Sequence, residues 1–222
     1  MDFAQLSAET IRALDLLGVV ANALLAGALA RGKRYDLIGF LILGIITGLG
    51  GGMIRDLLIA QYTPIALTDP SYLAAAVVGS LIAYVYPTTG RVWRRGARFV
   101  DAIALGTWGA VGAQRALAAG LSPGAAILLG TITGVGGGVL RDVLVRRTPM
   151  IFGGSTLYAT CATAAAGVAV ALQLLMAPVS RGGLTTIVGT LIGGGLCLLA
   201  YKFNWSLPEA RDWRILTRDK AD

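Results

Sequence analysis

Histidine is absent from the 222 residues, which excludes imidazole acid–base catalysis and histidine-ligated metals. Charge is scarce as well, at 14% of residues against about 25% in an ordinary soluble domain, too little to cover a soluble surface of this size. There are two cysteines, Cys161 and Cys197, and both fall inside apolar segments, where they are expected as buried free thiols. No nucleophile–base set and no cluster of metal ligands is evident, so neither an enzyme nor a bound cofactor or metal is expected. The lysine and Ser/Thr of a phosphate-binding loop are also missing from the glycine-rich runs, and no strand precedes them. The N-terminus lacks the basic region of a cleaved signal peptide, so the first apolar run is expected to be retained as a helix.

Apolar runs take up the space that charge leaves. Hydrophobic residues make up 55% of the chain, and runs of roughly 20 residues, long enough to cross a bilayer, recur along it. Seven spans are expected at about 11–30, 37–59, 71–87, 99–119, 123–145, 155–176 and 184–203. The chain then reads as an all-α membrane protein with one transmembrane domain over residues 1–203 and a cytoplasmic tail over 204–222. The net charge of +7 does not point to nucleic acid, because the basic residues form short clusters between apolar runs. Arg31, Lys33 and Arg34, then Arg91, Arg94, Arg95 and Arg98, then Arg146 and Arg147 all fall on one side of such a topology, with the tail. The positive-inside rule puts that side in the cytoplasm and the N-terminus outside.

The segment from Gly44 to Asp56 recurs from Gly130 to Asp142 as G-x-x-T-G-x-G-G-G-x-x-R-D, at an offset of 86 residues. Asp15 matches Asp101 and Tyr72 matches Tyr158 at the same offset, while Thr63-Pro64 matches Thr148-Pro149 one residue out of step. Two three-span units are therefore expected, at about 11–87 and 99–176, with an added seventh span at 184–203. An odd number of spans reverses direction when repeated, which implies an inverted pair related by an axis in the membrane plane.

Glycine at 48, 50, 51 and 52, and again at 134, 136, 137 and 138, weakens each helix by about 1 kcal/mol per residue relative to alanine. Such a run is expected to kink or unwind the span and to free carbonyls near Thr47 and Thr133 for a dehydrated cation. Close packing through small residues is the other reading. The pairs Arg55-Asp56 and Arg141-Asp142 lie at opposite ends, and Asp15 is expected to approach Arg55 as Asp101 approaches Arg141. These clusters read either as charged vestibules or as staples within each unit. Asn22, whose counterpart is Trp108, is a candidate pore-lining residue, and Arg115 is expected to snorkel to the surface. Gly189 and Gly193 form a packing motif in the seventh span.

The doubled G-G-G-x-x-R-D, each copy preceded by a span opening with Asp15 or Asp101, resembles the bacterial branch of the trimeric intracellular cation channel family, also catalogued as a glycine-transporter domain. The resemblance covers about residues 10–203. It implies seven helices, a homotrimer in the bacterial inner membrane with one pore per protomer, and conduction of K+ with some Na+. In the family the kinked second and fifth helices line the pore, which here carries over to Gly48–Gly52 and Gly134–Gly138. The family's Arg-Asp pairs map onto Arg55-Asp56 and Arg141-Asp142. Membrane lipid and further copies of the chain are the expected partners. A carrier of glycine or another small zwitterion is the rival reading, and a non-transporting assembly protein the third. Leucine at Gly51 or Gly137 is expected to stop ion flow without necessarily preventing folding.

Overall fold

The computed structural model describes residues 3–88, 90–152, 157–176 and 182–207. Eight helices occur among them: α1 (Phe3–Gly32), α2 (Leu37–Ile59), α3 (Ile65–Thr68), α4 (Pro70–Val85), α5 (Arg91–Ala118), α6 (Pro123–Leu144), α7 (Tyr158–Met176) and α8 (Gly182–Phe203). Five of these helices, α1, α2, α6, α7 and α8, contain a stretch long and apolar enough to cross a bilayer. The chain is thus an all-helical, multi-pass membrane protein. α4 is apolar but has only 16 residues. α5 has 28 and opens with Arg91, Arg94, Arg95 and Arg98, which dilute its hydropathy.

The ends of these helices follow from local chemistry. Asp36 caps α2 by accepting from the Gly39 amide at 2.8 Å, and Ala60 closes the helix with φ 54°. Asp69 caps α4 ahead of Pro70, and Ser122 caps α6 ahead of Pro123, each proline sitting where a missing N–H costs nothing. Arg31, in the last turn of α1, donates to the carbonyls of Ala83 at 2.7 Å, Tyr84 at 2.6 Å and Tyr86 at 3.2 Å, so a guanidinium serves the unpaired C-terminal carbonyls of α4.

Three features differ from the sequence reading, the first being that α1 starts at Phe3 and not near 11. α5 starts at Arg91 rather than near 99, because arginines at the start of a helix can stay helical in water beyond the apolar span. The single turn α3 was hidden in what read as a loop, too short to leave a periodicity. Of the expected tail, Trp205 stacks on Phe203 with ring centres 5.8 Å apart, and residues 208–222 lie outside the described residues.

The larger difference concerns the glycine runs. α2 and α6 are helical straight through Gly48–Gly52 and Gly134–Gly138, not unwound. The glycines instead bring the two backbones together. A Cβ on Gly51 would collide with the carbonyl oxygen of Thr133, and a Cβ on Gly137 with that of Thr47; one on Gly136 would lie 3.1 Å from the Gly51 Cα. The carbonyls expected to face ions are therefore covered by the opposite helix, in reach of Cα–H groups. Packing offsets the propensity that glycine loses, as small residues do wherever membrane helices must touch closely.

The same device recurs throughout. A Cβ on Gly106 of α5 would meet the Thr190 carbonyl of α8 at 2.7 Å, and one on Gly79 of α4 the Val20 carbonyl of α1 at 2.5 Å. Gly189 and Gly193 of α8 rest on α7 at the carbonyls of Ala165 and Cys161, 2.9 and 2.8 Å from the added atom, so this motif packs within the protomer. α5 is the hub, with α1, α6, α7 and α8 around it.

Alanine at Gly51 or Gly137 should overpack the α2–α6 crossing and cost about 1–3 kcal/mol, read as a lower thermal unfolding midpoint in detergent. Leucine there meets the same carbonyls with a larger side chain and should lower the midpoint further. Alanine at Gly52 or Gly138 should leave the midpoint unchanged, since the nearest atoms lie 3.7 and 3.8 Å from the added carbon.

Candidate functional site

The ionisable residues collect at the two ends of the α2–α6 crossing. At one end Asp15 of α1 is buried and accepts from the Tyr72 hydroxyl at 2.7 Å and the Trp108 indole at 2.8 Å, with the Arg115 guanidinium 3.8 Å away. Beside it, Arg55 closes on its own neighbour Asp56 through Nε and Nη2, both at 2.7 Å. The second oxygen of Asp56 accepts the Ile65 amide at 3.0 Å, which fixes the turn after Thr63-Pro64. Both side chains are almost wholly enclosed.

The other end repeats this arrangement. Tyr158 of α7 donates to Asp101 at 3.0 Å, Arg141 donates through Nε to Asp142 at 2.9 Å, and Asp142 accepts the Met150 amide at 3.3 Å, after Thr148-Pro149. The second donor to Asp101 comes from a new quarter, the Tyr201 hydroxyl of α8 at 2.9 Å.

The expected partners Asp15–Arg55 and Asp101–Arg141 are gathered into common sites but not paired. Each arginine neutralises the adjacent aspartate instead. Asp15 and Asp101 already hold two neutral donors apiece, whereas Asp56 accepts otherwise from the Ile65 amide and the Tyr62 hydroxyl and Asp142 from the Met150 amide. A buried carboxylate left with backbone donors alone would keep an uncompensated charge, which is costly in so enclosed a place. The tyrosine matches at 72 and 158 were visible as repeats, but their hydrogen bonds to aspartate were not. Trp108 and Tyr201 gave no signal, because neither has an aromatic counterpart at the offset.

Of the other candidates, Thr47 and Thr133 are fully buried, and each hydroxyl bonds back to its own helix, to the Leu43 and Leu129 carbonyls at 2.6 Å. Gly48 rests on Val19, and Gly134 on Leu105 and Ala162. Gly50 meets Leu140. Asn22 is buried and donates to the Gly18 carbonyl at 3.2 Å. Outside the spans, Asp69 is held below its ordinary carboxylate range by hydrogen bonds from Arg12 and then from the Ser71 amide.

Cavities adjoin both ends. A narrow one of about 20 Å³, room for a single water, is lined by Asp15, Arg55, Asp56, Gly48, Gly52 and Thr133 among others. A wider one of about 430 Å³ is lined by Asp101, Arg141 and Asp142 together with Arg98 and Arg147. Among the described residues no group of three or more acidic or thiol ligands could hold a metal. The arrangement gathers carboxylates, guanidinium groups and cavity space at both ends of one helix crossing.

Comparison with known proteins agrees with this geometry. The glycine transporter family model matches twice, over residues 12–87 and 98–174. The UPF0126 inner membrane protein YadS of Escherichia coli (strain K12) is 34% identical over 200 residues, spanning 88% of this chain and 93% of that one. A solved structure that explains conductance through TRIC cation channels superposes with TM-score 0.81 at 33% identity, covering 89% of this chain and 96% of that chain. The TRIC trimeric intracellular cation channel orthologue from Rhodobacter sphaeroides superposes with TM-score 0.80 at 28% identity, covering 88% of this chain and 99% of that chain.

Replacing Arg55 by Leu should strand a buried Asp56 charge and cost about 3–5 kcal/mol of stability in detergent unfolding. Adding Asp56→Asn to that variant should recover part of the loss, and the same cycle at Arg141 and Asp142 should behave alike.

Proposed function

Because this chain belongs to the trimeric intracellular cation channel family, we propose that it is a passive, K+-permeable channel with one path in each protomer of a homotrimer. The carrying observation is that acid clusters lie at both ends of the crossing between α2 and α6, each beside a cavity. The path runs along this crossing, past Gly48, Gly52 and Thr133 at one end and the Gly138 side of α6 at the other. Asp15 and Asp56 at one end, and Asp101 and Asp142 at the other, favour cations, while Arg55 and Arg141 hold the carboxylates in place. Thr47, Gly50, Gly51, Gly134, Gly136 and Gly137 act by letting the helices meet, so that small shifts of one against the other open or close the passage. Asn22 lies one turn from Gly18 on the α1 face of the same region.

Seven spans, in two three-helix halves of opposite direction plus α8, account for the placement of the start of α1 beside the end of α5. The exposed Lys33, Arg34, Arg94, Arg95, Arg146 and Arg147 then share the Asp101 side, which the positive-inside rule makes cytoplasmic, with the N-terminus outside the bacterial inner membrane. No resident cofactor enters this reading; K+, and to a lesser extent Na+, is what passes.

Current–voltage curves of purified protein in a planar bilayer with asymmetric KCl test this. A reversal potential that follows the K+ gradient and ignores added glycine is expected. Silent bilayers together with saturable, competable uptake of labelled glycine into liposomes would replace the channel by a carrier.

A further inference from the structure

The 86-residue offset relates cavities as well as residues. The cavity of about 430 Å³ lies between the end of α1 and the start of α5, where Leu25, Ala28 and Leu29 face Ala97 and Arg98. A second, of about 680 Å³, lies between the start of α1 and the end of α5, where Ile11 and Arg12 face Val111, Gln114 and Arg115. These two sets are counterparts, position by position. The cavities nevertheless differ in what they reach. The first is lined by the acid cluster Asp101, Arg141 and Asp142. The second stops short of Asp15, Arg55 and Asp56, which line the separate narrow cavity of about 20 Å³.

Ile65 and Tyr72 line both the narrow cavity and the second one and stand between them, and the residues beside them that break the repeat mark how the two ends differ. Trp108 of α5 reaches across to α1 and donates to Asp15 at 2.8 Å; its counterpart Asn22 turns back to its own helix. The indole lies against Gly18, where a Cβ would be 3.2 Å from three ring atoms, and the counterpart of Gly18 is Ala104. Arg115 stands 3.8 Å from Asp15 while lining the large cavity, and its counterpart is Leu29. At the far end the matching bond to Asp101 comes from Tyr201 of α8, which leaves α1 out of it. Asp15 is accordingly buried at 6% exposure, whereas Asp101 is only partly buried.

We propose that the Trp108 indole, clamped between Gly18 and Asp15 and backed by Arg115, is the gate of the Asp15 end, so that this conformation is open toward Asp101 and shut toward Asp15. The proposal rests on the channel reading for its purpose but not for its test. Opening the path requires the Trp108–Asp15 hydrogen bond to break and the indole to leave the face of α1. Arg115 then follows its aspartate or replaces the indole as its partner.

Cysteine accessibility in detergent-solubilised, full-length protein tests the gate. In a Cys161→Ala, Cys197→Ala background, Val19→Cys places a thiol on the wall of the narrow cavity. Its rate of modification by a small cationic methanethiosulfonate should rise about tenfold with Trp108→Phe, the effect of losing one hydrogen bond to a carboxylate. Gly18→Ala, which pushes on the ring and leaves the donor intact, should raise the rate too. Asn22→Ala, the counterpart change, should leave it as it was. Unchanged rates in both the Trp108→Phe and Gly18→Ala proteins, eluting from a sizing column like the parent, would overturn the gate. A raised rate in protein that carries no current in bilayers would keep the gate and remove the channel.

Discussion

Everything in this molecule hangs on the contact of two helix backbones at Gly51 and Gly137. Each glycine sits against the threonine carbonyl of the other helix, so the contact is reciprocal and admits no side chain on either part. Helices in lipid gain little from hiding apolar surface, since the solvent is as apolar as they are. Close approach, with its dispersion and weak Cα–H···O contacts, has to hold them. Once α2 and α6 cross in this way, the Arg-Asp pairs one turn beyond each glycine run fall at opposite ends of the crossing, and α1 and α5 bring Asp15 and Asp101 beside them.

Those charges are tolerable because their partners are so close. Arg55 and Arg141 each neutralise the next residue in the chain, which costs little ordering, and the free oxygen of each aspartate holds the loop that follows. Asp15 has a cation only in the more distant Arg115, and both it and Asp101 take their hydrogen bonds from hydroxyl and indole donors instead. The scaffold role and the role in guiding a cation are therefore not alternatives: the carboxylates that pin the loops are the same ones that border the cavities.

Much of this was legible in the sequence. The apolar runs foretold the long helices, and the offset foretold that Asp15, Tyr72 and Arg55-Asp56 would be mirrored by Asp101, Tyr158 and Arg141-Asp142. Two things were not legible. Glycine lowers helix propensity in any window, so the runs read as breaks; that they remain helical depends on the neighbour that fills the space, and propensity carries no knowledge of a neighbour. The partners of Asp15 and Asp101 were misassigned for a similar reason. Topology says which residues share an end of the bundle, but which donor wins depends on reach and on neutral groups such as Trp108 and Tyr201 that no charge pattern reveals.

The interior assembled by these contacts is built largely of alanine and glycine, with Ala23, Ala26, Ala76, Ala83, Ala102, Ala113, Ala162, Ala165 and Ala169 among its fully enclosed residues. Such an interior has almost nothing left to lose. Truncation, the commonest injury to a soluble core, is unavailable where the side chain is already a methyl group or a hydrogen. At these small-residue contacts the mutational vulnerability therefore points one way, toward enlargement, while the few large or charged side chains inside, Arg55, Tyr72, Trp108 and Arg141 among them, are where removal still does harm.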